Sequence, residues 1–336
     1  MNEGLPDKKA ETNNIDSIKN TVLDSGEKIC AFLNIQTDTL KDIIDNLVVN
    51  TKLSGHNNDI FIINFYNTKR EFLGRACLKY SSDMEHSDKL KIESEILRIL
   101  NPKGVACPKL INTGINGEGN HFVLMEAVEG ERADSHVIDI KTAELVLDVI
   151  QTHESVLLDN SDKLKLSDGK LDLEKEVDFE DKLASFLKRF APHLKAKNSY
   201  GFLNQYLNNI SIIKKIIVTD RSADNIFIGK NNQIIMIDFS TVRIGTQFDN
   251  WIQFIDDPRA KFICSKDELV TMFFNKKNLN KNAMDYYYAA SIYTNLLQGI
   301  FTYKKNPTQS MHYINNANGA FESFTKKKGV LIDNSH

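Results

Sequence analysis

The spacing of hydrophobic residues divides the first part of the chain into a helical start and a β-rich stretch. Apolar residues recur at helical intervals over about 15–50, so we expect helices there. From 48 to 80 the period shortens. The runs IFIINFY (60–66) and FLGRACLKY (72–80), joined by a polar turn, are typical of paired strands.

The same pattern predicts a small sheet that carries one helix. A helical segment at about 87–100 separates the first strand pair from two further strands, KLINTG (109–114) and HFVLMEAV (121–128). The turn NGEGN lies between these two strands. Short connections of this kind favour antiparallel pairing, so the sheet should be mostly antiparallel.

Beyond Gly130 the pattern becomes mainly helical, with one β segment at 216–239. The predicted helices cover 140–157, 179–195, 200–215 and most of 266–325. The β segment contains a short strand and a hairpin; its parts are IIVT (216–219), NIFIG (225–229), the turn KNNQ (230–233) and IIMIDF (234–239). The fold class expected is therefore α+β.

Composition is that of an ordinary globular protein with material for about two domains. The chain has 336 residues, of which 41% are hydrophobic and 26% charged, and its net charge is −3. This charge does not indicate nucleic-acid binding. No apolar run approaches the ~18 residues of a membrane span. The polar N-terminus does not resemble a secretory signal. We expect a cytoplasmic protein without nucleic-acid or membrane partners.

The four cysteines do not indicate a metal site or a disulfide framework. Cys30, Cys77, Cys107 and Cys264 lie far apart and form no CxxC pair. We interpret them as small buried hydrophobic residues.

Three polar residues in the β segment suggest a cation site. Asp220 follows the short strand, Asn225 begins the next, and Asp238 is expected on the last strand, sharing a face with Ile234 and Met236. Pairing across the hairpin would bring Asn225 and Asp238 together. Carboxylate and amide oxygens suit a hard cation such as Mg²⁺.

The spacing of these residues resembles a known catalytic motif. D-x-x-x-x-N, followed thirteen residues later by an Asp before Phe, is similar to the catalytic loop and metal-binding Asp of the protein-kinase-like superfamily, and most similar to the aminoglycoside phosphotransferase and choline kinase family. The resemblance implies a two-lobed protein-kinase-like fold, with a small antiparallel β N-lobe and a larger helical C-lobe.

The resemblance also implies roles for the three residues. Asp220 would be the catalytic base, and Asn225 and Asp238 would bind Mg²⁺. One departure concerns the two positions before Asp220. Val218 and Thr219 stand where the family usually has His and Gly.

The resemblance requires a strand lysine and a glutamate on the following helix. Lys79 is the next-to-last residue of the run FLGRACLKY, and Glu93 lies fourteen residues later. On a helical wheel Glu93 falls within the apolar stripe, whereas Glu95 falls on the solvated face. An inward carboxylate needs a partner. We therefore expect a Lys79–Glu93 ion pair that places the lysine on the α- and β-phosphates of ATP.

Two further segments correspond to nucleotide-binding parts of the family. Ser54, Gly55 and Asn57 lie where a loop would cover the phosphates, although a plain turn explains them equally well. Glu126 and Val128 lie where the hinge between lobes would offer backbone groups to adenine. The expected organisation is a helical extension over 1–47, a nucleotide-binding lobe over 48–128, and a catalytic and substrate-binding lobe over 129–336.

Other residues are expected to support the site or to bind the acceptor. His153 and Asp249 match supporting positions of the family, and we interpret both as structural. A further hypothesis concerns the acceptor pocket. Asp256 and Asp257, with the tyrosines at 286–288, would line an acidic aromatic pocket for a cationic aminoglycoside or a choline-like amine.

The expected function is transfer of the γ-phosphoryl group of Mg·ATP to a hydroxyl of a small molecule, of aminoglycoside, sugar or amino alcohol type. A protein kinase is disfavoured because only ten residues separate Asp238 from Asp249, too few for an activation loop. Val218 keeps open a third interpretation, a nucleotide-binding pseudokinase that acts as a scaffold. The sequence leaves the oligomeric state open.

Overall fold

The structure is a computed structural model that describes residues 17–54, 59–81, 84–161, 164, 214–218, 220–240, 242–280, 283–303 and 306–328. The chain divides into two compact units, Met1–Glu129 and Gly130–His336.

The first unit is built on a five-stranded antiparallel sheet. Its strand order is β1-β2-β3-β5-β4, and every neighbouring pair is antiparallel. The strands are β1 Val48–Ser54, β2 Asp59–Tyr66, β3 Phe72–Ser81, β4 Leu110–Ile115 and β5 His121–Glu126. The four strands predicted from the sequence are present. Strand β1 is additional, since its centre is polar and its pairing with β2 is irregular between Val49 and Thr51.

Helices cover both faces of this sheet. They are α1 (17–24), α2 Gly26–Leu33, α3 Leu40–Asp45 and α4 Met84–Leu100. Ile18 and Ile29 of α1 and α2 share one buried core with Leu78 of β3. The next strand residue, Lys79, contacts Glu93 of α4. Because successive strand side chains point to opposite faces, α4 lies on the face opposite α1 and α2.

The second unit begins with short strands and ends in long helices. In chain order its elements are β6 Glu131–Arg132, β7 Val137–Ile138, α5 Ile140–Asp159, β8 Lys214–Val218, β9 Ile226–Ile228, β10 Ile234–Met236, β11 Val242–Thr246, α6 Asp249–Ile255, β12 Lys261–Phe262, α7 Lys266–Lys276, α8 Ala283–Tyr303 and α9 Pro307–Lys328. The predicted helical stretch 266–325 is thus three helices.

The strands of the second unit form a hairpin sheet and two strand pairs. β9 and β10 are the predicted hairpin, and β6 adds to the outer side of β9. β8 pairs with β11, and β12 pairs in parallel with β7. The predicted helix 179–195 and most of 200–215 lie outside the described residues. The end of the second is wrong, because Lys214 and Lys215 already belong to β8.

The core of the second unit is strongly aromatic. Trp251 of α6 stacks on Phe273 of α7 with ring centroids 5.8 Å apart, and Tyr287 of α8 packs on Phe248 and Phe274. Helices α5 and α7 begin with side-chain caps. Asp139 accepts a hydrogen bond from Thr142 N at the start of α5, and Ser265 and Glu268 form a capping box on α7.

The order of the elements and the state of the cysteines test two predictions from the sequence. A β-sheet unit followed by a mainly helical unit confirms the α+β prediction. All four cysteines are free thiols, but only Cys30 is buried and the other three are half-buried. In the part of the chain that the structure describes, no helix combines the length and apolar character needed to cross a membrane.

Candidate active site

A buried ion pair joins strand β3 to helix α4 in the first unit. Lys79 Nζ lies 2.8 Å from Glu93 Oε1 and 3.0 Å from Oε2. The side chains are only 9% and 1% exposed. Burying two charges is costly unless they meet in good geometry, and this pair does so through both carboxylate oxygens. The ion pair that the sequence predicts is therefore present.

The predicted phosphate loop falls between two paired strands. Ser54 is the last residue of β1 and pairs with Asp59, the first residue of β2. β1 and β2 are thus consecutive antiparallel strands. Gly55 and Asn57 lie outside the described residues, so their part in the prediction stays a prediction.

The predicted hinge follows strand β5. Glu126 ends this strand, and its N–H donates to Lys109 O at 2.8 Å. The N–H of Ala127 donates to Arg75 O at 3.2 Å. No described residue accepts a backbone hydrogen bond from Val128. Of the two predicted hinge residues, Val128 is therefore the one whose N–H is not used by the described backbone.

The second unit begins at a position that requires glycine. Gly130 has a φ of +142°, and a Cβ placed there would lie 2.7 Å from Ile228 O. Both the backbone angle and the close approach exclude a larger residue. The close packing lets β6 pair with β9, the strand that starts directly after Asn225.

The loop between β8 and β9 holds Asp220 in a fixed backbone conformation. The N–H groups of Asp220 and Arg221 both donate to Gln253 Oε1 of α6, each at 2.9 Å. Asn225 Nδ2 donates to Asp220 O at 3.1 Å. Asp220 has a φ of +78°, which is uncommon for a residue other than glycine. Such strain is typical of functional sites.

Asp238 does not lie where the sequence predicts. Strand β10 ends at Met236, so Asp238 does not share a strand face with Ile234 and Met236. The N–H of Ile237 donates to Asn225 O at 2.9 Å, and the chain then turns at Asp238, whose φ is +57°. The left-handed turn takes the carboxylate out of the strand pattern. The hairpin nevertheless brings Asn225 beside the residue before Asp238.

The pKa of the Asp220 carboxyl group is shifted by its surroundings. Although the residue is solvent-exposed, limited hydration of its carboxyl group raises its pKa above the usual range. The negative charges of Asp238 and Asp224 also raise this pKa, whereas the hydrogen bond from Ser222 and the positive charge of Arg259 lower it. A cation bound beside Asp238 would reduce its repulsion of the Asp220 carboxylate.

The donor set around Asn225 fits a magnesium ion that also binds phosphate. Asn225 Nδ2 donates to Asp220 O and to Ser222 Oγ, so the amide is oriented with Oδ1 on its other side. Asp238 supplies a carboxylate. Among the described residues no group of three or more His, Cys, Asp or Glu side chains could hold a metal. Two protein ligands completed by phosphate oxygens and water are the usual arrangement for Mg²⁺.

Arg221 and His153 support this region. Arg221 is fully buried, its guanidinium lies 4.6 Å from the centroid of the Phe239 ring, and Nη1 donates to Ile237 O at 3.2 Å. It therefore ties the Asp220 loop to the residues on both sides of Asp238. His153 of α5 packs edge-on against Phe239 with centroids 5.4 Å apart. Asp249 is buried and accepts from Thr246 Oγ1.

Several supporting residues were not predicted. Gln253 holds the Asp220 loop from a helix more than thirty residues away in sequence. Its polar amide within the otherwise apolar run WIQFI is the one sequence signal of a role. Ser222, Asp224 and Arg259 form a contact network around Asp220 that no sequence spacing indicates.

The predicted acceptor pocket is wrong for its central residues. Asp256 is buried, pairs with Lys266 and accepts from Asn295. Asp257 is buried, pairs with Arg259 and accepts from Ala223 N at 2.6 Å. Tyr287 belongs to the aromatic core. Tyr286 and Tyr288 are half-buried. The two buried carboxylates are thus already engaged by partly exposed cations and by hydrogen-bond donors of the protein.

Comparison with known proteins shows the fold. No protein-family model matches the chain, and no curated protein matches its sequence. The GDP complex of wild-type aminoglycoside 2′-phosphotransferase-IIIa is similar with a TM-score of 0.54 at 12% identity, covering 84% of this chain and 93% of the other. The gentamicin complex of APH(2″)-IIa is similar with a TM-score of 0.50 at 18% identity, covering 81% and 91%. The predicted two-lobed, kinase-like fold of the aminoglycoside phosphotransferases is confirmed.

Proposed function

We propose that the chain is an ATP-dependent phosphotransferase that moves the γ-phosphoryl group of Mg·ATP to a hydroxyl of a small molecule. The observation that carries the proposal is the loop of the second unit. There, Asp220 is held by Gln253 and Asn225, and Asp238 is near enough to raise its pKa. The kinase-like fold and the Lys79–Glu93 ion pair support it.

Lys79 would bind the α- and β-phosphates. Its ammonium is fixed by both oxygens of Glu93, so little side-chain freedom would be lost when phosphate binds. Only a small part of the lysine side chain is exposed, and the low dielectric around it would strengthen its attraction to phosphate. Val128 N–H and a backbone group of Glu126 would contact adenine.

Asn225 and Asp238 would hold Mg²⁺. When bound there, the ion would supply positive charge that offsets the negative charge on the phosphoryl group during transfer. The contribution of the protein is orientation. The hydrogen bonds of Asn225 Nδ2 fix the amide, and the turn at Asp238 directs its carboxylate.

Asp220 would orient the acceptor hydroxyl and accept its proton. The two hydrogen bonds to Gln253 hold the backbone on which this carboxylate is mounted. A raised pKa makes the carboxylate a stronger proton acceptor, which suits a general base. Positioning of this kind is the main contribution that a protein makes to phosphoryl transfer.

The fold and the short connection after Asp238 support a small-molecule acceptor. Ten residues separate it from Asp249, and β11 occupies five of them, so no long peptide-binding segment follows the metal-binding position. The similar structures are named for aminoglycoside phosphotransferases, and one contains gentamicin. We therefore place aminoglycosides first among the acceptors to test, before sugars and amino alcohols. The GDP in the other structure makes GTP the nucleotide to compare with ATP.

A nucleotide-binding scaffold is the second candidate. The observation that favours it is Val218, which lies in β8 two residues before Asp220, where the family usually has His. A scaffold, however, would not need a doubly anchored Asp220. The active enzyme is the better explanation.

The test is transfer of labelled phosphate. The purified chain is incubated with γ-labelled ATP or GTP, Mg²⁺, and panels of aminoglycosides, sugars and amino alcohols. We expect a labelled small molecule, and Asp220→Ala should lower its formation by at least ~10²-fold. Asp88→Ala, at an exposed surface position of α4, is the matched control and should retain activity. Nucleotide binding without transfer to any acceptor would favour the scaffold, and labelling of a protein would favour a protein kinase.

A further inference from the structure

The hydroxyl of Ser222 lies between two carboxylates beside the proposed catalytic base. Its Oγ is 2.5 Å from Asp220 Oδ1 and 2.7 Å from Asp224 Oδ1. The same oxygen accepts a hydrogen bond from Asn225 Nδ2 at 3.3 Å. A hydroxyl carries one proton, so it can donate to only one of the two carboxylates at a time. Which carboxylate receives it decides how Asp220 is held.

Arg259 determines that choice. Its Nη1 lies 2.5 Å from Asp224 Oδ2, while Nε and Nη2 bind both oxygens of Asp257 at 2.9 and 3.1 Å. Asp257 in turn accepts from Ala223 N, inside the same loop. The guanidinium therefore neutralises Asp224 directly. Asp220 has no comparable cation in contact among the described residues, so its carboxylate is the stronger acceptor for the Ser222 proton.

We propose that Ser222 is a positioning residue that fixes the rotation of the Asp220 carboxylate, and that the Arg259–Asp224 pair directs its hydroxyl to Asp220. The inference rests on the proposed function, because it assigns Asp220 the role of base. With Oδ1 held by Ser222, Oδ2 is the oxygen presented to the acceptor hydroxyl. Ser222 acts through Asp220 and does not itself have to contact the substrate.

The arrangement is also local and rigid. Ser222 is buried and has an extended backbone (φ −76°, ψ 157°), directly before the short 3₁₀ turn at Ala223–Asn225. Its hydroxyl thus links the base to Asn225, the proposed metal ligand, through two contacts on one atom. Loss of the hydroxyl should disturb orientation more than binding.

The test compares Ser222→Ala with Ser222→Thr by steady-state kinetics on the best acceptor found. We expect Ser222→Ala to lower kcat by ~10- to ~100-fold, the range for a misplaced reacting group, with the KM values for ATP and acceptor unchanged. Ser222→Thr keeps the hydroxyl, and the extended backbone suits a β-branched residue, so it should recover most of kcat. Ser265→Ala is the control. It removes the exposed N-cap of α7, and we expect it to keep the wild-type kcat.

A double-mutant cycle tests the part assigned to Arg259. Arg259→Lys keeps the positive charge, but a lysine ammonium cannot reproduce the planar guanidinium contacts that hold Asp257 and Asp224 at the same time. It should lower kcat when Ser222 is present and have no further effect in the Ser222→Ala background. Purely additive effects would overturn the role of Arg259.

The outcomes separate this inference from the proposed function. Wild-type kcat in Ser222→Ala, or no recovery in Ser222→Thr while both variants remain folded by circular dichroism, would overturn the positioning role while phosphoryl transfer by the wild type stands. Absence of transfer by the wild type to every acceptor would overturn both.

Discussion

Replacement of Glu93 by Gln tests the buried ion pair on which the proposed nucleotide site depends. The carboxylate is 1% exposed and meets Lys79 through both oxygens. Removing one partner of a buried ion pair costs roughly 3–5 kcal/mol in free energy of unfolding. Gln keeps one oxygen acceptor for Lys79, so we expect a loss of about 3 kcal/mol.

The same substitution should weaken nucleotide binding. Without the carboxylate, Lys79 loses the contacts that fix its ammonium, and we expect the Kd for Mg·ATP to rise by about tenfold, equivalent to ~1.4 kcal/mol. At an ATP concentration of ~100 times the wild-type Kd, the ligand stabilises the wild type by ~2.7 kcal/mol. A tenfold weaker variant would gain only about 1.4 kcal/mol under the same conditions.

The assay is urea unfolding of both proteins with and without Mg·ATP, together with a calorimetric Kd. Glu95→Gln is the matched control. It lies on the same helix, but its carboxylate is 43% exposed and pairs with Arg98 on the surface. Such pairs contribute about 0–1 kcal/mol, so this variant should behave like the wild type. Equal stability and equal ATP affinity in Glu93→Gln and Glu95→Gln would refute the reasoning.

Three further predictions concern other parts of the structure. Asn225→Ala should raise the Mg²⁺ concentration needed for half-maximal activity, measured by Mg²⁺ titration at saturating nucleotide; an unchanged requirement would remove Asn225 from the metal site. Glu268 accepts a hydrogen bond from Ser265 N, and this bond lowers the pKa of the Glu268 carboxyl group. The stabilisation from the capping box is therefore present above the unfolded-state pKa of Glu268 and is lost as the pH falls through its folded-state pKa. Urea unfolding of wild type and Glu268→Gln should therefore differ at neutral pH and converge in acid; a constant difference would contradict this. Gly130→Ala should destabilise the protein by more than ~1 kcal/mol, whereas Gly117→Ala, which has open space around it, should not.

Local periodicity predicted the first unit well. The inward position of Glu93 follows from the helical repeat of α4, and a buried carboxylate demands a cation, which Lys79 supplies. Strand β1 was not predicted as a strand because polar residues interrupt its alternation. Its stability comes from pairing with β2, a contact that composition does not reveal.

The site of the second unit was predicted in part. Asp220 and Asn225 lie in one short loop, and the motif D-x-x-x-x-N was enough to predict that they are close together. The left-handed turn at Asp238 could not be inferred, because nothing in IIMIDF marks the end of the strand.

The acceptor hypothesis was wrong because it relied on the charges of neighbouring residues in the sequence. Asp256 and Asp257 resemble a surface acidic pair in sequence, yet tertiary contacts with Lys266 and Arg259 make both of them internal. The role of Gln253 could not be predicted for the same reason, because its hydrogen-bond partners lie in a loop that is distant in sequence. Burial of polar groups depends on long-range packing, and a single sequence does not specify it.

The central claim is that Asp220 directs a small-molecule hydroxyl onto the γ-phosphate of bound nucleotide. The most direct measurement is single-turnover phosphorylation of an accepted substrate by wild type and Asp220→Asn, with nucleotide affinity measured for both. We predict that the variant binds nucleotide as tightly as the wild type but forms product at least ~10²-fold more slowly. Equal rates of product formation in the two proteins would contradict the account.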